Sequence, residues 1–256
     1  MLPKLLIVIM VILSFAVKSV AQDSASAVTD NKEFTDYWYS GKAEITSYEL
    51  KQGRYGQLHD GYAVLIFVSE DFSKKKQVKL DSPGNSKEDA MKVLKLNNIK
   101  KFNTGIYRYS MMNSVFTPVD IEEYPDTLKI SSSSQEWCGS TCTQLNLVDD
   151  EYNVKSFSYF ESEGDREFSP EDEFLEDEVW TRIRLAPRSL PAGKIKIIPG
   201  AMASRLTHRA LKVETARASL EENPADTASM VYKLNYPDSG RSLEITFEKA
   251  FPYEIM

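Results

Sequence analysis

The chain has 256 residues, of which 31 are basic and 38 acidic, and it carries a net charge of −7. Because phosphate backbones repel an acidic protein, we expect no nucleic-acid partner. The two cysteines (Cys138, Cys142) and the two histidines (His59, His208) do not show the spacing of zinc ligands. The sequence therefore predicts no metal and no cofactor.

Residues 1–21 predict a secretory signal peptide. Lys4 precedes an uncharged apolar run over 5–17, and small side chains at the end of the segment place the cleavage between Ala21 and Gln22. The run is shorter than the about 20 residues that cross a bilayer. We therefore expect a soluble periplasmic protein with no stable membrane anchor after cleavage. The alternative is an uncleaved N-terminal anchor.

The rest of the chain predicts a polar, flexible lead-in over 22–33 and a single β-rich domain over 34–256. Short alternating runs rich in aromatic and β-branched residues indicate strands. The predicted fold is mainly β: a large curved antiparallel sheet, half-barrel or sandwich-like, because an open sheet of about ten strands should curl or fold over. The strands are predicted over 34–50, 62–68, 77–80, 86–96 (after one helical turn), 106–116, 127–137, 143–147, 156–161, 194–198, 206–213, 230–236 and 242–247.

One segment, 170–186, predicts the main α-helix. Ser169 is a suitable N-cap, and Pro170 suits the first helical position. Acidic residues fill the first turn and arginines the last, as the helix dipole favours. The apolar stripe predicts packing against the sheet and consists of Phe174, Leu175, Val179 and Ile183.

Cys138 and Cys142 predict a local disulfide at a hairpin tip. In an extended strand they would lie about 13 Å apart, too far to bridge. A tight turn at 139–141 would bring them together, and an exported protein permits the bond.

The segment 106–116 is the first candidate binding site. Aromatic and methionine side chains suit a deformable apolar pocket for a ligand, and the alternative is ordinary core packing. The residues are Tyr107, Tyr109, Met111, Met112 and Phe116. The second candidate is Trp137, which lies beside polar residues at the hairpin tip and suits sugar or protein contact. Its alternative is packing against the disulfide or under a loop.

Catalytic signals are weak. The chain has no Gly-x-Ser-x-Gly elbow, and structural roles are favoured for both histidines. The acidic stretch over 161–178 lacks a calcium-loop pattern and indicates a solvated helix start. No pair of carboxylates is singled out for acid–base chemistry.

Two stretches resemble a known protein family. Residues 96–120 and 133–146 are similar to exported envelope proteins of Gram-negative bacteria, some of which carry the label "septum formation inhibitor Maf". The resemblance implies a periplasmic β-rich protein with no established activity. The label does not fit this sequence. Maf nucleotide pyrophosphatases carry a Ser-x-Ser-Pro-Arg motif near the N-terminus, and this sequence has no such motif there. The predicted architecture is similar to the lipoprotein-carrier (LolA-like) half-barrels.

These observations favour a non-catalytic periplasmic binding protein for an apolar or lipid-like ligand. One alternative is an envelope scaffold or assembly factor that acts through protein contacts, and another is a cell-envelope hydrolase. The predicted partners are accordingly an apolar small molecule or an envelope protein.

Overall fold

The computed structural model describes residues 31–85 and 88–256. The predicted signal peptide, its cleavage site at Ala21–Gln22 and residues 22–30 lie outside the described residues. The helices are α1 (Lys32–Trp38), α2 (Val179–Leu185) and α3 (Ala201–Thr207). The strands are β1 (Glu44–Arg54), β2 (Gln57–Ser73), β3 (Ala90–Thr104), β4 (Tyr107–Pro118), β5 (Lys129–Glu136), β6 (Gly139–Val148), β7 (Glu151–Ser158), β8 (Arg166–Phe168), β9 (Phe174–Leu175), β10 (Gly193–Ile198), β11 (Glu214–Glu222), β12 (Ser229–Tyr236) and β13 (Arg241–Glu248).

The strands form two sheets. The larger has eight strands in chain order from β1 to β8, each antiparallel to its neighbours. The smaller has the order β13-β12-β11-β10-β9, and only β9 and β10 pair in parallel. The predicted class, mainly β with a large curled antiparallel sheet, is confirmed. Within the described ranges, no helix has the length and apolar character needed to cross a membrane.

The eight-stranded sheet has two distinct ends. Because consecutive strands are antiparallel, the β1–β2, β3–β4, β5–β6 and β7–β8 connections all lie at one end, which we call the hairpin end. Tyr55 and Gly56 form the β1–β2 turn with positive φ angles, as the type I′ hairpin turn requires. The connections over 74–89, 119–128 and 149–150 lie at the opposite end, which we call the loop end.

The hydrophobic core joins the two sheets. Side chains alternate along each strand, and the inner face of the larger sheet packs against α2 and the smaller sheet. The buried members include Phe67, Leu96, Val115, Ile130, Leu145 and Val154 of the larger sheet, Val179 and Ile183 of α2, and Ile197, Tyr232, Leu234 and Phe247 of the smaller sheet.

The prediction of one main helix over 170–186 is wrong in its bounds. Phe174 and Leu175 are in β9 and pair in register with Ile197 and Ile198 of β10. Sheet hydrogen bonds therefore replace the first helical turns, and α2 begins only at Val179 after a short 3₁₀ turn. The described chain has three short helices. One of them, α1, occupies part of the predicted strand over 34–50, and the Asn31 side chain caps it.

The predicted disulfide is also wrong. The hairpin turn lies at Trp137 and Cys138, because Glu136 already pairs with Gly139. Cys142 therefore lies within the extended strand β6, opposite Ser133. At strand spacing, the four-residue separation is about 13 Å, beyond the reach of a disulfide. Both thiols are free and exposed.

Candidate functional site

The structure divides the predicted ligand-binding residues between two faces of the sheet. Tyr109 and Met111 are buried on the inner face, where they cluster with Phe102 and with Met202 of α3. Strand alternation places Met112 and Phe116 on the outer face, where Met112 is exposed and Phe116 stacks on Phe72. Tyr107 and Trp137 are exposed at the hairpin end. These six side chains therefore do not line one pocket.

A polar cleft lies between α3 and the inner face of strands β5 to β8. Its volume is about 170 Å³. Hydroxyl groups line its floor, and charged residues from α3, the segment after it and the β7–β8 region surround it. The floor consists of Ser132, Ser134, Thr141, Thr143 and Ser156, and the charged residues are Glu163, Arg166, Arg205, His208 and Arg209.

The hydroxyl floor follows from the strand register. Ser132 lies opposite Thr143, which in turn lies opposite Ser156, and Ser134 lies opposite Thr141. Since side chains alternate with a period of two, all five project from the same face. The Oγ1 of Thr143 and the Oγ of Ser156 are 2.9 Å apart and share a hydrogen bond.

Five hydroxyls of the cleft are available to a ligand. Within the described part of the chain, the side chains of Ser132, Ser134, Thr141, Ser162 and Ser204 make no hydrogen bond, although all five line the cleft. A hydroxyl both donates and accepts a hydrogen bond, so these groups can bind either a donor or an acceptor group of a polar ligand.

Arg205 of α3 forms one wall of the cleft. Its guanidinium donates to Glu136 at 2.9 Å and to Glu163 at 3.2 Å, and it lies 4.5 Å above the ring centroid of Phe160. Its Nε is buried and has no partner among the described residues. Arg205 is therefore held rigidly, with one donor unused.

His208 closes α3 at the mouth of the cleft. Its Nδ1 lies 2.9 Å from a Glu163 carboxylate oxygen, and its Nε2 lies 3.0 Å from a guanidinium nitrogen of Arg54. The guanidinium of Arg205 lies 3.1 Å from the same Nδ1, so guanidinium donors face both ring nitrogens and a carboxylate acceptor faces Nδ1. Both ring nitrogens are thus engaged, and neither contacts a serine or threonine hydroxyl in the described residues. This arrangement suits ligand binding more than nucleophilic catalysis.

Glu163 holds the charged side of the cleft together. Burial raises the pKa of its carboxyl, but hydrogen bonds from Ser158 and His208 and the charge of Arg205 outweigh burial, and the pKa lies below its ordinary value. Glu163 is therefore a carboxylate at neutral pH. This carboxylate is already paired with Arg205 and His208 of the cleft.

Buried charges lie beneath α3. Asp177 accepts a hydrogen bond from the backbone N–H of Ala201 at 2.8 Å, and burial raises its pKa to about 7. Glu176 forms a salt bridge with Arg241 and accepts a hydrogen bond from Tyr236. The prediction that the acids over 161–178 form a solvated helix start is therefore wrong for its last three residues, which are buried.

Among the described residues, no cluster of three or more histidine, cysteine, aspartate or glutamate side chains is placed to hold a metal ion. Sequence reasoning missed the cleft, although one signal was visible. The serine run over 131–134 lies in a strand, and alternation puts Ser132 and Ser134 on one face. Nothing in the sequence showed that α3 lies opposite them.

The fold and the cleft together define an antiparallel β-sheet protein with a polar cleft between a sheet and a short helix. Comparisons of the chain with protein-family models, curated proteins and solved structures give no match. The resemblance to exported envelope proteins stays a prediction.

Proposed function

We propose that the protein is a non-catalytic periplasmic binding protein whose ligand carries both hydroxyl groups and a negative charge. The observation that carries the proposal is the set of five hydroxyls in the α3 cleft without a partner among the described residues, which are those of Ser132, Ser134, Thr141, Ser162 and Ser204. Polar groups that face a cleft without protein partners gain hydrogen bonds when a ligand with hydroxyls enters.

The charge of the ligand follows from the arginines. Arg166, Arg205 and Arg209 line the cleft, against a single acidic residue, Glu163. Arg205 is paired with both Glu163 and Glu136, and Arg209 lies 4.0 Å from Glu214. Arg166 is thus the lining arginine that forms no salt bridge within the described residues, and its charge favours an anion.

The size of the cleft limits the ligand. A volume of about 170 Å³ lies below the roughly 300–1,000 Å³ of pockets for drug-sized molecules. It suits one charged sugar or one polar headgroup. The apolar-ligand hypothesis relied on the side chains of 107–116, which occupy two faces, and the ligand is therefore placed in the α3 cleft.

Calorimetric titration tests this proposal. We expect glucose 6-phosphate to bind more tightly than either glucose or inorganic phosphate, because only the first carries both kinds of group. Thr141→Val keeps the side-chain shape and removes one hydroxyl, which should weaken binding about fivefold, since a hydrogen bond contributes about 1 kcal/mol. Thr246→Val on β13, outside the cleft, is the control. Equal affinity of Thr141→Val and wild type, or no binding of any of the three probes, would overturn the proposal.

Export is tested separately. The protein expressed in a Gram-negative host should be released by osmotic shock, and its N-terminal sequence should begin at Gln22. A chain that keeps residues 1–21 and stays in the cytosol contradicts the periplasmic part of the proposal and leaves the binding result unaffected.

A further inference from the structure

Each connection at the hairpin end exposes a large hydrophobic side chain. Tyr55, Ile106, Trp137 and Tyr159 lie on the four successive connections, and their exposed fractions are 70%, 75%, 68% and 74%. Successive hairpins are separated by two strand spacings, so the tips stand roughly 10 Å apart along one edge. We call these four residues the hairpin-end row.

The loop end of the same sheet lacks this feature. On and directly beside its three connections, within the described chain, the exposed large hydrophobic residues are Val78 and Val148, and neither is aromatic. The β6–β7 turn there is Asp149 and Asp150. Single exposed apolar residues are ordinary on a protein surface, but four on consecutive tips at one end mark a surface for contact.

The hairpin end and the loop end also differ in charge. Lys101, Arg108 and Arg166 lie at the hairpin end and form no salt bridge with the described residues. Of the acids there, Glu136 and Glu163 are paired with Arg205 and Asp60 with Lys51, which leaves Glu161 and Asp165. The loop-end connections (74–89, 119–128 and 149–150) contain nine acidic residues against five lysines, three of which form the run Lys74–Lys76, so their net charge is negative. A negatively charged surface therefore repels the loop end and attracts the hairpin end.

We infer that the hairpin-end row docks this protein reversibly on an anionic lipid bilayer. Tryptophan and tyrosine have an apolar body and a polar edge, and they favour the interface between lipid headgroups and acyl chains. Separate convex tips can enter that interface without a matching shape, whereas a protein partner needs a complementary surface. The adjacent basic side chains provide the preference for anionic lipid. This inference shares one residue, Arg166, with the lining of the α3 cleft and does not depend on which ligand the cleft binds.

Vesicle sedimentation tests the inference, with the protein used as it is recovered from the expressing cells. We expect binding to vesicles of phosphatidylcholine with 30% phosphatidylglycerol, weaker binding to pure phosphatidylcholine, and a loss of affinity as salt rises. The double variant Trp137→Ser/Tyr159→Ser should lose at least tenfold in affinity. The matched double variant at the loop end, Val78→Ser/Val148→Ser, should bind as the wild type does, and so should Thr141→Val in the cleft.

Tryptophan fluorescence locates the contact. Trp38 is buried, Trp180 is partly buried against the core and Trp137 is exposed, so insertion of the row should shift the emission of Trp137 to the blue and allow its quenching by brominated lipid. Trp137→Phe should keep sedimentation but lose most of this signal. Wild-type binding by Trp137→Ser/Tyr159→Ser would overturn the inference. So would failure to bind vesicles combined with self-association that the same variant abolishes, because the row would then be a protein interface.

Discussion

Asp177 shows how much one residue can influence this fold. Its carboxylate holds the first N–H of α3, which carries Ser204, Arg205 and the residues leading to His208. Burial raises its pKa to about 7, with a further increase from Glu176, while Arg241 and Lys100 act in the opposite direction. The same side chain therefore positions the cleft wall and makes its stability depend on pH.

Asp177→Asn should remove this pH dependence. Between about pH 4 and 7 the unfolded chain ionises Asp177 whereas the folded chain keeps the proton, so stability from this group falls as pH rises through that window. The free energy of unfolding of the wild type minus that of the variant should decrease from pH 4 to pH 7, by an amount on the order of a few kcal/mol. Urea unfolding at four pH values measures it. A difference that is constant, or that increases with pH, contradicts the prediction.

At the scale of single residues, the sequence did not identify the side chains that line the cleft. The candidates Tyr107 to Phe116 were chosen by residue type, but alternation places neighbours on opposite faces. The hydroxyls of the cleft come from three strands, and only the register brings them together. Register depends on turn positions, and the position of the turn between Cys138 and Cys142 was itself predicted incorrectly.

At the scale of elements, the tight packing of β2 on β3 depends on Gly61. A Cβ at this position would lie 2.2 Å from the backbone oxygen of Lys101 and 2.8 Å from the Cβ of Phe102. Backbone cannot move aside as a flexible side chain can, so the two strands would have to separate locally.

Gly61→Ala should therefore destabilise the protein by about 1–3 kcal/mol, the usual cost of overpacking. Gly53→Ala in β1 is the matched control, because nothing lies within 4 Å of its Cβ position and its φ is not positive. That variant should be neutral or slightly more stable, since alanine restricts the unfolded chain. Urea midpoints at constant m-value compare the two variants. Equal midpoints would refute the steric argument.

The helix over 170–186 shows why elements were only partly predictable. Ser169, Pro170 and the acids that follow are a favourable helix start by local rules. The chain instead forms β9 at Phe174, because β10 offers it a parallel partner across more than 20 residues of sequence. Where no such partner competes, as for the β5–β6 hairpin, local alternation predicted the strands.

At the scale of the whole molecule, the fold class was predictable and the joining of the two sheets was not. Alternation and residue type indicate a mainly β protein, but they do not show which faces meet. Arg184 of α2 connects the larger sheet with the segment that follows β13 of the smaller sheet. It forms a salt bridge with Glu44 of β1, donates to the backbone oxygen of Pro252 at 2.9 Å, and lies 4.9 Å above the ring of Phe67.

Arg184→Met tests whether residues 34–256 unfold as one domain. The variant leaves Glu44 without its cation, and breaking a buried pair by removing one partner costs about 3–5 kcal/mol. Far-UV circular dichroism and tryptophan fluorescence should shift to lower urea together, because a core shared by both sheets makes unfolding cooperative. Arg184→Met/Glu44→Gln should recover part of the loss, since the unpaired charge is gone. Two separated transitions would show that the sheets unfold independently, and they would disprove the single-domain prediction.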